Sequence, residues 1–144
     1  MRVAGPADAL ANFARANGMR MRGHTLVWRS QTPAWVFRDA SGIALQAGNA
    51  AHRALLLQRM KTHIHTVIPR YADIVDDWDV VNEVIDVNQP GGLRNSPWLQ
   101  IIGSDFIDLA FQYAKEVAPA GVGLFINDYN TEIPAKRAAL RKVV

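Results

Sequence analysis

Apolar residues recur at helical spacing in four stretches of the chain, and capping residues mark where some of these helices begin or end. The first helix is predicted over 6–17, with Leu10, Phe13 and Ala14 on its inward face. Gly18 follows it at the position where a left-handed residue commonly closes a helix. This segment is therefore predicted to be a short amphipathic helix with a defined C-terminal end.

Three more helices are predicted further along the chain. Asn49 can cap a long helix that runs to about Ile68. Its apolar stripe consists of Leu56, Met60, Ile64, Val67 and Ile68. A third helix is predicted over 104–117, and its inward residues are Phe106, Leu109, Ala110 and Tyr113. Thr131 is expected to cap a last helix, with Pro134 in the first turn.

Three short stretches, 20–28, 77–82 and 123–127, are apolar or β-branched between polar ends and are predicted to be strands. Strands that alternate with helices indicate a parallel sheet with right-handed crossovers. Three strands do not close a barrel, and a typical eight-unit barrel needs roughly 250 residues. The chain is therefore predicted to have an α/β fold that forms an arc of a larger barrel.

Composition narrows the classes of partner. Of the 144 residues, 49% are hydrophobic and 20% are charged, as in a globular domain, and none is cysteine, which excludes disulfides and thiolate metal sites. Residues 1–18 lack a signal-peptide pattern, and no stretch approaches the roughly 18 apolar residues of a membrane span. We expect no membrane partner. The basic cluster is interpreted as a solvated helix face, not a nucleic-acid site, because no aromatic residues interleave with it: Lys136, Arg137, Arg141 and Lys142.

Candidate chemistry lies at the end of the second predicted strand, in WDVVNE at 78–83. This strand delivers Asn82 and Glu83 to its C-terminal end, which faces the active site in barrels of alternating strands and helices. A carboxyl group beside an amide that can bind a sugar hydroxyl suits acid/base attack on a glycosidic bond. Taken alone, Glu83 could equally be a surface carboxylate.

Other residues invite a functional interpretation that the pattern does not support. His63 and His65 form an HxH pair, but positions i and i+2 of a helix do not share a face, so no metal site is predicted there. His52 has no partner that the sequence identifies. Trp35 is interpreted as a core residue, and Asp128 as a residue that caps a loop.

Three strand-end motifs occur together: GHTLVW with SQTPAW at 23–35, WDVVNE at 78–83 and INDYN at 126–130. With the linking pieces ADALANFARANGMRMRGH, HIHTVIPRY and FIDLAFQYAKE, they resemble the family-10 glycoside hydrolases, the endo-1,4-β-xylanases. The resemblance covers nearly the whole chain. It implies a parallel (β/α) TIM-barrel fragment of roughly three of the eight βα units, with these motifs on the third, fourth and fifth strands.

The resemblance implies a role for each matching residue. Glu83 resembles the acid/base that protonates the leaving sugar oxygen and later activates water. Asn82 resembles the residue that binds the 2-hydroxyl of the sugar being cleaved, and His24 resembles a hydrogen-bonding partner in that subsite. Trp28 resembles part of the apolar wall of the same subsite, and Gln31 a contact to the next sugar on the non-reducing side.

In the INDYN motif at 126–130, Tyr129 resembles the aromatic platform for the leaving-group sugar, and Asn127 resembles a residue that supports the site. One position departs from the family pattern: Arg29 stands where the family usually has His, which adds a bulky, permanent cation near the cleavage site. The family's nucleophile is a Glu on the seventh strand, which this chain does not reach, and the first two strands are not matched either.

The expected function is that of a retaining endo-1,4-β-xylanase acting on xylan or xylo-oligosaccharides without a cofactor. Residues 1–144 are expected to be a partial catalytic domain with an acid/base but no nucleophile. The family is generally extracellular, which is the localisation that the resemblance implies, and any signal peptide would lie on a part not present here. The alternative is a non-catalytic truncated product or a weak sugar-binding fragment. A cellulase is disfavoured because all three motifs follow the xylanase pattern.

Overall fold

The computed structural model describes residues 5–143, which form three parallel strands and five helices within that range. The strands are β1 (Met21–Val27), β2 (Val75–Asn82) and β3 (Gly123–Asn127). The helices are α1 (Gly5–Ala16), α2 (Ala50–Arg70), α3 (Pro97–Ile102), α4 (Phe106–Val117) and α5 (Pro134–Leu140). Short 3-10 turns occupy Ala34–Phe37 and Pro90–Gly92.

The sheet has the order β1-β2-β3, and both neighbouring pairs are parallel. This confirms the predicted α/β arrangement of strands joined by helical crossovers. Val27 pairs with Val81, and Asn82 pairs with Asn127, so the carboxyl ends of all three strands reach the same edge of the sheet. Polar residues that follow each strand are thereby brought together.

The core lies between this sheet and the α2 and α4 helices. Four predicted stripe residues of α2 are buried, namely Leu56, Met60, Ile64 and Ile68. The Asn49 side chain caps α2 as predicted, since its oxygen accepts from the backbone N–H groups of Ala51 and His52. Burial of aliphatic side chains at about 1.5–3 kcal/mol each is the main term that holds α2 on the sheet.

The predicted inward face of α1 is wrong for Leu10 and Phe13 and correct for Ala14. Leu10 and Phe13 are 57% and 59% exposed, whereas Ala14 and its small neighbour Ala11 are buried. Two polar contacts hold α1 in this orientation. Asp8 bonds to Arg70 and Tyr71 at the end of α2, and Arg15 bonds to Asp73 in the turn before β2. The helix therefore turns its small side chains toward the core and two large apolar ones outward.

Two other helix boundaries differ from expectation. The α5 helix begins at Pro134, so its N-cap is Ile133 and not Thr131, which lies in the preceding turn. Proline at the first helical position places the cap on the residue immediately before it. The α3 helix falls in a stretch predicted to be loop. Ser96 caps it by accepting from the Leu99 N–H at 3.2 Å, a pattern that the Ser-Pro pair could have signalled.

Candidate active site

The sequence-predicted site residues gather at the carboxyl edge of the sheet. Asn82 and Asn127 pair in register at the ends of β2 and β3, and their side-chain amides lie 2.8 Å apart. Glu83 follows directly, and its backbone N–H donates to the Asn127 carbonyl at 2.8 Å. Trp28 follows β1 directly and lines the same small pocket as Asn82 and Glu83. The fold thus brings residues far apart in sequence to one place.

Glu83 occupies a left-handed backbone conformation, with φ at 54°, and its side chain is 23% exposed. A non-glycine residue in this region is strained and persists only where its surroundings hold it. Its N–H is bound by Asn127, and its carbonyl accepts from Arg94 Nε at 2.9 Å. The result is a partly sheltered carboxyl group on a backbone that is restrained from both sides.

Arg29 forms an ion pair with the Glu83 carboxylate. Its Nη2 lies 3.5 Å from Glu83 Oε2, and the Arg29 side chain is 38% exposed. At that distance and exposure, the pair is a loose, screened contact. The position where the sequence departs from the family pattern therefore faces the candidate acid/base directly.

Asn82 is 3% exposed and bonds to groups on both neighbouring strands. In the amide orientation that satisfies its neighbours, its oxygen accepts from Trp28 Nε1 at 3.2 Å and its nitrogen donates to the Asn127 carbonyl at 3.2 Å. Trp28 is fixed in turn, because its carbonyl accepts from Trp98 Nε1 at 3.0 Å. These bonds give the site a rigid aromatic wall, and Trp98 is a supporting residue that the sequence did not reveal.

His24 lies on β1 and is held by a carboxylate that the sequence analysis missed. His24 Nδ1 donates to Asp79 Oδ2 at 2.9 Å, and Asp79 is 3% exposed. Asp79 also binds Arg22, and this hydrogen bond raises the pKa of the Arg22 guanidinium. The contact with Asp79 fixes the orientation of the His24 ring, whose side chain is 47% exposed. The sequence carried one signal for this contact, because Asp79 is an acidic residue inside a strand that is predicted to be buried.

Gln31 and Trp35 line a cavity of about 390 Å³ beside β1, together with His24 and Trp28. Gln31 is exposed and left-handed, with φ at 60°. The interpretation of Trp35 as core is wrong, since it is 51% exposed. Its ring lies under the guanidinium of Arg59, 5.5 Å from the ring centroid, while the same cation binds backbone carbonyls of the 3-10 turn. The cation–π contact holds the ring on the surface.

Tyr129 follows β3 and is held by two cations. Arg94 Nη2 donates to the Tyr129 hydroxyl at 2.7 Å, and Lys136 Nζ lies 3.6 Å from the ring centroid. The ring is 46% exposed, so it offers a fixed aromatic surface at the mouth of the site. Arg94 belongs to the loop after β2 and was not recognised from the sequence.

Asp128 and Lys136 form a buried ion pair beneath Tyr129. Their Oδ1 and Nζ atoms lie 2.6 Å apart, and the side chains are 0% and 8% exposed. Asp128 also accepts from the N–H groups of Ile85 and Tyr129, both at 2.9 Å, which agrees with its predicted loop-capping role. The assignment of Lys136 to a solvated helix face is wrong, because the first turn of α5 directs it onto Asp128; Arg137, Arg141 and Lys142 are exposed.

The remaining histidines serve packing and local bonds. Burial lowers the pKa of His63, which faces β1 near Leu26, whereas His65 Nε2 contacts Glu116 at 3.0 Å on the α4 side. His52 Nδ1 accepts from the Gln46 N–H. Within residues 5–143, no three potential metal ligands converge, and none of the helices there is long and apolar enough to cross a membrane.

Comparison with known proteins places this geometry in context. The family model for Glycosyl hydrolase family 10 matches residues 4–144. A thermostable celloxylanase from Thermoclostridium stercorarium is 46% identical over 143 residues, which cover 96% of this chain and 37% of that protein. Across the curated relatives compared, the chain spans between 11% and 40% of their length.

Two solved structures that superpose on this chain are also xylanases. Xylanase B from Clostridium stercorarium F9 superposes with a TM-score of 0.90 at 46% identity, covering 95% of this chain and 42% of that chain. The intracellular xylanase TsXylA from Thermoanaerobacterium saccharolyticum, solved as a mutant in complex with xylotriose, superposes with a TM-score of 0.83 at 44% identity. It covers 95% of this chain and 42% of the solved one.

Proposed function

The chain belongs to glycosyl hydrolase family 10, and from this premise we propose that it is part of a retaining endo-1,4-β-xylanase in which Glu83 is the acid/base. The observation that carries the proposal is the position of Glu83. It lies at the carboxyl edge of the sheet, sheltered, on a restrained backbone, and next to the buried amide of Asn82. A general acid needs such a fixed approach to the oxygen that it protonates.

In this proposal Glu83 protonates the oxygen of the departing sugar and then removes a proton from the water that releases the glycosyl intermediate. Asn82 and His24 bind hydroxyls of the sugar being cleaved, and Trp28 forms the wall of that subsite. The contact between His24 Nδ1 and Asp79 orients the ring, so that Nε2 is the ring atom available to bond a sugar hydroxyl. Hydrolysis by carboxyl groups requires no cofactor, in agreement with the acidic and amide groups of this site.

The two flanking sugars bind to residues on either side. Gln31 contacts the next sugar on the non-reducing side, and Tyr129 carries the leaving-group sugar, with Asn127 supporting the site between them. Retention requires a second carboxyl group about 5–5.5 Å from the first. The family resemblance assigns that nucleophile to a later strand, so residues 1–144 are proposed to be three of the eight units of a partial catalytic domain.

A completed barrel tests the proposal. It is made by substituting residues 4–144 for the matching segment of xylanase B from Clostridium stercorarium F9, whose structure superposes closely. The chimera should release reducing sugar from xylan. Glu83→Gln should lower kcat on xylan by about 10²–10⁴-fold, the usual contribution of a general acid/base. Glu132→Gln, the same change at an exposed residue, is the matched control.

Two further measurements separate proton transfer from simple damage. An aryl β-xylobioside with a good leaving group needs little protonation, so its kcat/KM should be spared in Glu83→Gln. Azide needs no general base, so it should restore turnover of that variant and yield a glycosyl azide. Equal losses on both substrates without azide rescue would refute the assignment of Glu83.

A sugar-binding fragment without catalysis is the second candidate, favoured by the 37% coverage of the celloxylanase relative. Titration of the 144-residue chain with xylotriose, followed by NMR signals of Trp28 and Tyr129, distinguishes the two. Saturable shifts without hydrolysis would support a binding fragment. An unaltered spectrum, together with an active chimera, would leave only the partial-enzyme proposal.

A further inference from the structure

One guanidinium joins the candidate acid/base to the candidate sugar platform. Arg94 Nε donates to the Glu83 carbonyl at 2.9 Å, and Arg94 Nη2 donates to the Tyr129 hydroxyl at 2.7 Å and the Ile85 carbonyl at 3.1 Å. Its Nη1 lies 3.6 Å from Asp86 Oδ2, and the Arg94 side chain is 16% exposed. The guanidinium group is thus mostly buried, and both its Nε and its Nη2 atoms donate hydrogen bonds.

We propose that Arg94 is a positioning residue that sets the distance and orientation between Glu83 and Tyr129. The proposal rests on the function proposed above and adds a residue to it. Arg94 does not touch the sugar bond in this arrangement. It acts through the backbone of Glu83 on one side and the ring of Tyr129 on the other.

The contact with Glu83 bears on the conformation of the acid/base. Glu83 is left-handed, and its peptide groups are tied by Asn127 on the N–H side and Arg94 on the carbonyl side. Without Arg94, one of these two restraints is lost, and the residue is free to relax toward an ordinary backbone conformation. Such a relaxation would turn the carboxyl group away from the oxygen that it must protonate.

The contact between Arg94 and Tyr129 fixes the residue proposed to hold the leaving-group sugar on the other side of the glycosidic bond. The hydroxyl of Tyr129 is held by Arg94, and its ring is covered by Lys136, which is anchored on Asp128. The ring therefore cannot move independently of the loop that carries Glu83. A leaving-group sugar stacked on Tyr129 would be presented to Glu83 in a single geometry.

The shape of the side chain, more than its charge, carries this role. Arg94 directs its two short donor contacts at a backbone carbonyl and the Tyr129 hydroxyl, not at a carboxylate, while its Nη1 faces Asp86 at 3.6 Å. A lysine at this position keeps the charge but has no planar fork to reach Glu83 and Tyr129 together. Arg94→Lys therefore keeps the positive charge but removes the planar group that bonds to Glu83 and Tyr129 together.

The test measures kcat/KM of the completed barrel on xylan and on the aryl β-xylobioside. Misplacement of a catalytic group by about 1 Å costs roughly 10²-fold. Arg94→Lys should lower kcat/KM on xylan by about 10- to 10²-fold and spare the aryl substrate, which needs little acid assistance. The ratio of the two values does not depend on how much of the protein is folded, so it separates positioning from loss of stability.

Arg20→Lys is the matched control. Arg20 also binds a backbone carbonyl and a carboxylate, those of Asp73 and Asp76, but at the opposite end of the strands. In Arg20→Lys, the ratio of kcat/KM on xylan to kcat/KM on the aryl β-xylobioside should equal that of the parent chimera. Parallel losses on both substrates in Arg94→Lys, or equal ratios in the two lysine variants, would overturn the proposal. If Glu83→Gln itself shows no selective loss on xylan, the proposed function fails instead.

Discussion

Replacing Lys136 by Met decides whether this lysine is a solvated residue, as its place in a basic cluster suggested, or half of a buried ion pair. Methionine has a similar volume and fits the first turn of α5 equally well. The substitution leaves Asp128 with its two backbone donors, Ile85 and Tyr129, but without its cation. The Asp128 side chain is fully buried, so water cannot replace the lost partner.

The expected cost follows from this burial. Removing one partner of a buried ion pair typically costs about 3–5 kcal/mol, because the remaining charge is uncompensated. A pair at the surface is worth about 0–1 kcal/mol. With Asp128 at 0% and Lys136 at 8% exposure, we expect Lys136→Met to fall in the first range. The Lys136→Met and Asp128→Asn double variant should cost less than the sum of the two single variants.

The assay is urea unfolding of the completed barrel, with the apparent free energy of unfolding obtained by linear extrapolation. Lys142→Met is the control, since Lys142 is exposed and follows the same helix. Its effect should stay within about 0.5 kcal/mol. A loss below about 1 kcal/mol for Lys136→Met, or strict additivity in the double variant, would refute the buried-pair reasoning.

Four further predictions concern the chain as a whole and single sites. The 144-residue chain alone should hydrolyse xylan at no more than a trace rate, because we propose that the nucleophile lies on a strand outside these residues; robust release of reducing sugar would contradict this. Because Leu10 and Phe13 are exposed, the isolated chain should associate in size-exclusion chromatography, and a sharp monomer peak with cooperative unfolding would refute this expectation. In the completed barrel, Arg29→His should change the pH profile or the kinetics, since Arg29 lies 3.5 Å from Glu83; unchanged kinetics would show that it points away from the sugar. Burial lowers the pKa of His63 below 6.5, so stability should decline as the pH falls below about 6.5, and this decline should be smaller in His63→Gln, measured by urea unfolding at pH 7.5 and 5.5.

The alternation of strands and helices, the parallel sheet and the motif residues were predictable from the sequence by itself, whereas the short α3 helix was missed. These features depend on local information: the apolar stripe of α2, the cap at Asn49 and the short β-branched strands. The family followed from three motifs in one order, and the matching model confirms it. Because parallel strands end at a common edge, the meeting of Asn82 and Asn127 also followed from the order of elements.

Only the tertiary structure decided which side chains act together across that edge. Lys136 carries the same local signals as Lys142, yet one is buried on Asp128 and the other is exposed. Arg94 lies in a polar loop, and its fork reaches Glu83 and Tyr129 because two loops pack against each other. Such contacts join residues far apart in the chain, and their energy depends on distance, burial and direction. A local pattern of residues specifies none of these, so the supports of the site became visible only in three dimensions.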